Sequence, residues 1–397
     1  MDEKTYQITA QPTTDCLVIS LGGRIDSANS TAAEAEILAL REEHPEQSLQ
    51  LDLSNLEYIS SSGLRVLLKL QKHEPGGVKL VEVGDVVYNI LETTGFNRIF
   101  DVRRKPREIT IDGYEEMARG ATGVVYRVDD DTILKLYSPG NPIIFAEEEQ
   151  RKARTALIAG VPTAIPYEIV KCGECYGVLF ELVKAQTAAN VIMADTDENL
   201  PKWGQKLGNL LKEIHSREAD TTQLRNMKDI YAAHINSLDA YITPQQKEQV
   251  LNTMAQIPDR TTMLHGDFHT RNVMLQDGEF LLIDMIDCGW GHPIFDLSMN
   301  AISSIEDPVN SHLFTGITEE RIIPLWESII STYFGFDTRE QIDLAREIIV
   351  ACTCPRFMCF PAIIPAQTEE WKRWMVARAV AGLDKFPDAV QHLNELF

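Results

Sequence analysis

"MLHGDFHTRNVMLQDGEFLLIDMIDCGWG" (Met263–Gly291) is the most informative segment of this 397-residue chain. It places Asp267, then Asn272 five positions later, then Asp284 behind a strand-like run. Phosphoryl transfer from a nucleotide needs a carboxylate that orients the acceptor hydroxyl, and two oxygen ligands that hold Mg²⁺ against the phosphates. We therefore expect Asp267 to be the catalytic base and Asn272 and Asp284 to bind the metal.

A second group of candidates lies upstream, in a part of the chain that is rich in predicted strands. "ARGATGVVYRV" (Ala118–Val128) puts Gly120 and Gly123 in a turn between two strands, where bare backbone can approach phosphates. Lys135 follows in the alternating strand "TILKLY", where an inward-facing lysine requires a partner. A phosphate and a carboxylate would satisfy it, and Glu149 is preferred over Glu148 because it shares a helix face with small and apolar residues.

These motifs give residues 109–397 a resemblance to the aminoglycoside phosphotransferase-like branch of the protein-kinase-like fold. "HGDFHTRN" is similar to the family's HGDxHxxN catalytic loop, and "LIDMIDCGWG" to its IDxxDxxxG metal-binding segment. One departure is Ala118, which stands where the family's phosphate loop usually has its first glycine. The resemblance implies a two-lobed α+β domain over residues 108–397, with an N-lobe at 108–183 and a mostly helical C-lobe at 184–397.

The same resemblance implies ATP or GTP with Mg²⁺ as cofactors, bound between the lobes. It also implies that the hinge residues Phe180, Glu181 and Val183 bind the nucleotide. His265 and His269 are expected to support the catalytic loop, and Asp287 is expected to be a further supporting acid.

The first 107 residues alternate between predicted strands and helices, which indicates a small sheet covered by helices. Strands are expected at "CLVISLGGRID" and "SLQLDLSNL", and helices at "STAAEAEILALREEHP" and "VVYNILETTGFNRIF". The pattern "GRID…LDLSNLEYISSSGLRVLL" resembles a STAS domain of the anti-sigma-factor-antagonist type. By that resemblance Ser61 is the possible phosphorylation site, at a helix start that favours negative charge, while Ser60 replaces the family's usual aspartate.

The basic segment "RRKPRE" (Arg103–Glu108) is interpreted as a linker, so the predicted domains are 1–107 and 108–397. The fold class that we expect is an α/β STAS domain followed by a two-lobed protein-kinase-like α+β domain. The STAS domain would bind a protein partner or regulate the enzyme.

The net charge of the chain argues against some classes of binding partner. The net charge is −22, of which residues 108–397 contribute −18, so nucleic acid and anionic membrane are not expected partners. The acidic second part is compatible with a cationic substrate. No apolar run is long enough for a bilayer and the N-terminus is polar, which predicts a cytoplasmic protein without a signal peptide. Seven scattered cysteines predict no disulfide framework, and Cys172–Cys175 is expected at a hairpin tip.

Three functions follow from these patterns. The first is a phosphotransferase that moves a nucleotide γ-phosphate to a hydroxyl acceptor, with a small molecule preferred because HGDxH is more usual in small-molecule kinases. The second is a protein kinase that acts on a STAS serine, either Ser61 in cis or that of a partner. The third is a non-catalytic nucleotide-sensing scaffold, which the complete set of Asp267, Asn272, Asp284 and Lys135 disfavours.

Overall fold

The computed structural model describes residues 5–120, 122–364 and 367–397. Ala121, within the glycine-containing turn predicted above, lies outside the described residues. The chain divides into two compact units, Met1–Glu108 and Ile109–Phe397. No helix in the described ranges combines the length and the apolar character needed to cross a membrane.

The first unit is built on a five-stranded sheet with strand order β1-β2-β3-β4-β5. Its strands are β1 (Tyr6–Pro12), β2 (Cys16–Ile25), β3 (Ser48–Ile59), β4 (Val78–Val83) and β5 (Asp101–Arg104). β1 pairs antiparallel with β2, and the other neighbours are parallel. Parallel neighbours require crossover connections, and helices provide them here.

The helices of this unit are α1 (Ser30–Glu42), α2 (Ser61–His73) and α3 (Asp85–Thr93), followed by a 3₁₀ turn at Phe96–Arg98. Alternate residues of β2 and β3, among them Leu17, Leu51 and Leu53, are fully buried in the core. Gly63 lets α2 approach the sheet closely, because a Cβ there would come within 2.6 Å of the Ile59 side chain.

A six-stranded sheet of order β6-β10-β11-β9-β8-β7 follows, and its strands β7 to β11 belong to the second unit. Its strands are β6 (Arg107–Glu108), β7 (Glu115–Arg119), β8 (Gly123–Arg127), β9 (Thr132–Tyr137), β10 (Pro166–Cys172) and β11 (Cys175–Glu181). Helix α4 (Ile144–Ile158) packs against β10 and β11. This arrangement sets a strand that carries Lys135 beside a helix that carries Glu149.

The remainder of the second unit is mainly helical. Its helices are α5 (Ala188–Ala194), α6 (Leu200–His215), α7 (Met227–Asn236), α8 (Pro244–Ala255), α9 (Ile294–Ser304), α10 (Ser311–Thr315), α11 (Glu319–Phe334), α12 (Arg339–Ala351), α13 (Cys354–Ile363), α14 (Glu369–Gly382) and α15 (Phe386–Gln391). Further 3₁₀ turns lie at Asp197–Asn199, Met285–Asp287 and Leu393–Glu395.

Two small sheets interrupt these helices. One has the order β12-β14-β15, and the other pairs β13 with β16. Their strands are β12 (Gln186–Thr187), β13 (Met263–Leu264), β14 (Val273–Gln276), β15 (Glu279–Leu282) and β16 (Gly289–Trp290). Asp267, Asn272 and Asp284 lie in the connections between these strands.

The fold class predicted from the sequence is confirmed, with three local corrections. The segment 103–108 is not a free linker, because it completes β5 at Arg104 and forms β6 at Arg107–Glu108. The first helix ends at Glu42, before the proline that was expected to stop it. The expected helix over 86–100 ends at Thr93, and Gly95 at φ 76° separates it from the 3₁₀ turn.

Candidate active site

Lys135 and Glu149 form the ion pair that the sequence led us to expect. The Lys135 Nζ lies 2.8 Å from Oε1 of Glu149, and the two side chains are 13% and 2% exposed. The hydroxyl of Tyr137, two residues along β9, donates to the other carboxylate oxygen. Glu148, the alternative, pairs instead with Arg151 on the helix surface. Both oxygens of Glu149 are therefore occupied by partners on the sheet.

The same lysine reaches Asp284, which comes from the far end of the motif. Lys135 Nζ donates to Oδ1 of Asp284 at 2.8 Å. Burial lowers the pKa of Lys135, but the charges and hydrogen bonds of Glu149 and Asp284 outweigh burial, so that its pKa is raised and it stays protonated. Asp284 has the left-handed backbone conformation (φ 62°), which non-glycine residues rarely adopt.

Asp267 and Asn272 are brought together by the loop after β13. Asn272 Nδ2 donates to the backbone oxygen of Asp267 at 2.9 Å and to its Oδ2 at 3.2 Å. Burial raises the pKa of Asp267, but the nearby His269, Arg356 and His265 together lower it to about 2. Asp267 is thus an ionised carboxylate with a fixed orientation.

His265 and His269, the two histidines of the motif, contact the loop that carries Asp267. His265 Nδ1 accepts from the backbone N–H of Asp267 at 3.2 Å, and its Nε2 lies 3.2 Å from the carbonyl of Ile283. His269 Nε2 lies 3.6 Å from Oδ2 of Asp267. Because Ile283 directly precedes Asp284 and its N–H also donates to the carbonyl of Asn272, these contacts tie the catalytic loop to the segment that carries Asp284.

Asp287 is placed against the same loop. Gly266 has φ +83°, and a Cβ on it would come within 2.1 Å of the Asp287 carbonyl oxygen. The Asp287 side chain, one-third exposed, pairs with Arg356 at 3.0 Å. A glycine before Asp267 is therefore required both by its backbone conformation and by the closeness of this segment.

Sequence reasoning missed Asp296, which lies in α9 and anchors the loop that carries Asp267. Its two carboxylate oxygens accept from the backbone N–H groups of His265 and Gly266 at 2.8 and 2.7 Å. His215 Nε2 lies 3.1 Å from the same carboxylate. Burial raises the pKa of Asp296, but the His215 hydrogen bond and charge outweigh it and the pKa is lowered. The sequence feature that could have indicated Asp296 is that it is the single acid in an otherwise uncharged helix start, "IFDLSMNAIS".

Two buried cations were also missed. Arg356 of α13 lies behind Asp287, and Lys152 of α4 donates to the carbonyl of Ile286 at 2.6 Å. Both sit in helices whose sequence pattern gives no sign of a long-range polar contact.

The residues expected to contact the nucleotide lie in the turn with Gly120 and Gly123 and at the end of β11. Gly120 N–H donates to the Gly123 carbonyl at 2.9 Å, which closes the turn between β7 and β8. A Cβ on Gly123 would come within 2.1 Å of the Leu136 carbonyl, so β8 requires glycine there. Phe180 and Glu181 end β11, next to β9 in the sheet. The backbone N–H of Val183 makes no hydrogen bond within the described residues.

The residues expected to bind Mg²⁺ offer suitable donors. Asn272 turns its Nδ2 to Asp267, and its Oδ1 accepts no hydrogen bond from the residues that the structure describes. Asp284 uses Oδ1 for Lys135 and is 39% exposed. Hard oxygen donors of this kind suit Mg²⁺, which keeps several waters and phosphate oxygens as its other ligands.

Ser61, in the first unit, is the first residue of α2 and is exposed. The helix cap is Ser60, whose hydroxyl accepts from Gly63 N–H at 3.3 Å. Ser61 is therefore not the capping residue. Cys172 and Cys175 face each other at the end of the β10–β11 hairpin, and in the described ranges no group of three or more His, Cys, Asp or Glu side chains is arranged to hold a metal.

Comparison with known proteins assigns both parts of the chain. Residues 113–327 match the model of the phosphotransferase enzyme family, APH, and residues 7–109 match that of the STAS domain. BtrV of Bordetella bronchiseptica, a protein assigned as an anti-sigma factor antagonist, is 40% identical over 89 residues, which are 22% of this chain and 76% of BtrV.

Solved structures resemble the chain more remotely. A choline/ethanolamine kinase family protein from Mesorhizobium loti is 16% identical, covering 70% of this chain and 92% of that chain at a TM-score of 0.49. The ADP-bound aminoglycoside phosphotransferase APH(2'')-Ib is 13% identical, covering 69% and 94% at a TM-score of 0.47. Likenesses at this level identify no substrate.

Proposed function

The chain belongs to the phosphotransferase enzyme family and carries a STAS domain, and on that premise we propose that it transfers the γ-phosphate of ATP or GTP, bound with Mg²⁺, to a hydroxyl group of a small molecule. The observation that carries the proposal is the double contact of Lys135, which bonds Glu149 and Asp284 at 2.8 Å each. This contact joins the sheet, helix α4 and the motif segment into one polar cluster.

In this proposal Lys135 binds the nucleotide phosphates, and Glu149 holds its ammonium group in place. Gly120 and Gly123 allow the backbone of their turn to approach the phosphates, and the free N–H of Val183 can bond the base from the hinge beside Phe180 and Glu181. When bound, Mg²⁺ supplies positive charge to the phosphate oxygens. Asn272 and Asp284 are the residues that would hold it.

Asp267 acts on the acceptor. Its ionised carboxylate accepts a hydrogen bond from the acceptor hydroxyl and orients the oxygen for attack. It takes up the proton as the new O–P bond forms, while the bond from the γ-phosphorus to the nucleoside diphosphate breaks and the diphosphate leaves. Asn272 and His269 fix the carboxylate in one orientation, and Asp296 holds the backbone that carries it. Asp287 and His265 support that backbone from the other side.

The Asp267→Asn variant of the full chain tests this role. An amide of the same size cannot accept the proton, so we expect turnover to fall by roughly 10²–10⁴-fold while nucleotide affinity stays near the wild-type value. ADP formation and equilibrium nucleotide binding are measured in parallel. Asp277→Asn, in the exposed β14–β15 turn, is the matched control. Unchanged turnover in the Asp267 variant would refute the assignment.

A second candidate function is phosphorylation of a STAS serine. The observation in its favour is that Ser60 caps α2, which leaves the exposed hydroxyl of Ser61 outside the cap. Phosphate there would face a helix N-terminus, where it is stabilised, and would add roughly two negative charges to the surface. Incubation with MgATP, then intact mass and peptide mapping, should show phosphate on Ser61 in the wild type and none in Asp267→Asn. Absence of added mass, with nucleotide bound, excludes phosphorylation of Ser61 in cis.

A further inference from the structure

We propose that Tyr231, His234 and Arg356 form an acceptor subsite that binds an anionic group, a carboxylate or a phosphate, on the hydroxyl-bearing substrate. This inference rests on the proposed function and names the substrate class of the same site. It departs from the cationic acceptor that the overall charge of the chain suggests.

Arg356 is the centre of the subsite. Its side chain is 5% exposed, and its Nη2 bonds Oδ2 of Asp287 at 3.0 Å. Its Nε is buried without a partner, and Asp287 is the only hydrogen-bond partner of the guanidinium in the described part of the chain. A guanidinium has five N–H groups, and burying even one of them, here at Nε, unpaired is costly. A bound anion would satisfy them with charge-assisted hydrogen bonds.

Helix α7 adds two more unpartnered polar groups. The hydroxyl of Tyr231 and the Nδ1 of His234 are both buried without a hydrogen-bond partner in the described residues. The two residues are three positions apart and so share one face of the helix. The Arg356 Cζ lies 5.7 Å from the centre of the Tyr231 ring, and α7 packs against α13. Three side chains from two helices thus place unused polar groups in one region.

This region adjoins the catalytic base. Asp287, which Arg356 contacts, has its backbone against Gly266, the residue before Asp267. The Asp287 side chain is one-third exposed, so a small group can approach Arg356 beside it. The charge of Arg356 also helps to lower the pKa of Asp267, which places the two side chains within electrostatic range. An acceptor held through a small anionic group at Arg356 would bring a neighbouring hydroxyl towards Asp267.

The buried, unpaired Nε–H of Arg356 favours an anion over a cation. Burial lowers the pKa of His234, and the positive charges of Arg356 and Arg225 lower it further, against the opposing effect of Asp287. Two guanidinium groups thus act on a histidine whose neutral form is favoured, although residues 108–397 carry a net charge of −18. An ammonium group placed here would be repelled by the Arg356 guanidinium and could not accept from its unpaired Nε–H.

Binding of small probes to the full-length protein tests the inference. Glycerate, glycerol 3-phosphate, glycerol and 3-aminopropane-1,2-diol share a three-carbon hydroxylated skeleton and differ in charge. We expect glycerate or glycerol 3-phosphate to bind at least roughly tenfold more tightly than glycerol, as hydrogen bonds to a charged group imply. The first two probes distinguish a carboxylate from a phosphate. Equal affinities, tightest binding of the amine, or no measurable binding of either anion overturns the inference.

Tyr231→Phe is the decisive variant, because it removes a hydroxyl that bonds nothing in the described structure. A purely structural tyrosine predicts unchanged anion affinity, whereas the subsite predicts a loss of roughly tenfold. Tyr167→Phe, at an exposed position of β10, is the control. Arg356→Lys should keep the charge but weaken binding, since lysine lacks the planar fork. Anion affinity that is unchanged in either Tyr231→Phe or Arg356→Lys overturns the inference.

Nucleotide binding is measured separately on the same samples. Anion binding with the expected variant effects, but without nucleotide binding or turnover, leaves the subsite standing and rejects the proposed function. Turnover with a neutral or cationic acceptor, without any preference for an anion, supports the proposed function and rejects the subsite.

Discussion

Glu149 shows how strongly one side chain depends on its exact position. It is 1% exposed and accepts from Lys135 and Tyr137, while its neighbour Glu148 sits at the helix surface with Arg151. The two acids have the same chemistry and are adjacent in sequence. Only the one that faces the sheet can fix the lysine that we propose to bind phosphate.

Replacing Glu149 by Gln should therefore impair catalysis. The amide can still accept from Tyr137, but it removes the charge that holds Lys135, so we expect kcat/KM for the nucleotide to fall roughly ten- to a hundredfold. Glu148→Gln changes the adjacent acid and should leave kcat/KM unaltered. Steady-state kinetics of both variants at varied nucleotide concentration make the measurement. Equal effects of the two substitutions would contradict the proposed role of Glu149.

The residues that the sequence identified share one property: each lies in a short motif or in a regular alternation. Asp267, Asn272 and Asp284 fall within eighteen residues, and Lys135 and Glu149 follow from strand and helix periodicity. Asp296 and Arg356 could not be found in this way. Their partners, His265 and Asp287, lie 31 and 69 positions away, and only the packing of helices α9 and α13 brings them together.

At the scale of elements, the start of α9 depends on a neutral histidine. His292 is 1% exposed, and its Nδ1 accepts from the backbone N–H of Ile294 at 3.1 Å. Burial, with the charges of Arg260 and His215, lowers the pKa of His292 to about 3 from the usual 6.5. Protonation would break the bond to Ile294 and bury a charge. Because the same helix carries Asp296, its start also positions the catalytic loop.

This arrangement predicts a pH-dependent stability. The pKa of His292 is about 3 in the folded chain and about 6.5 in the unfolded chain. At a pH between these values only the unfolded chain binds the proton, so the free energy of unfolding decreases as pH falls below about 6.5. His292→Gln keeps an acceptor for Ile294 and cannot titrate. Urea unfolding at about pH 7.5 and about pH 5 should show a smaller loss of stability in the variant than in the wild type. An identical loss in both proteins would assign the acid sensitivity to other groups.

Element boundaries show where sequence patterns fail. The strands β2 and β3 and the helix α2 were predicted because hydrophobic alternation, capping serines and an apolar face all agree there. The strands at 101–104 and 107–108 were missed, because residues 103–108 were taken as a linker. Four arginines and lysines with a proline in six residues resemble a loop, and their strand conformation comes from pairing with β4 on one side and with β10 on the other.

For the whole molecule, each unit contains a complete hydrophobic core. Leu17, Leu51 and Leu53 belong to the core of the first unit, and Leu325 and Phe268 to the main core of the second. A chain with separate cores need not unfold in one step. A ligand that binds one folded unit raises the stability of that unit only.

Two matched core substitutions test this expectation in the full-length chain. Leu51 and Leu325 are both 0% exposed, and replacement of either by Ala should cost about 2–5 kcal/mol through lost contacts and a residual cavity. We expect Leu51→Ala to lower only a calorimetric transition that MgATP leaves unchanged. Leu325→Ala should lower only the transition that MgATP raises. If either substitution shifts both transitions equally, or if MgATP raises both, the two units unfold as one cooperative body. In that case a change in the STAS domain, including phosphate on Ser61, would affect the phosphotransferase unit through its stability alone.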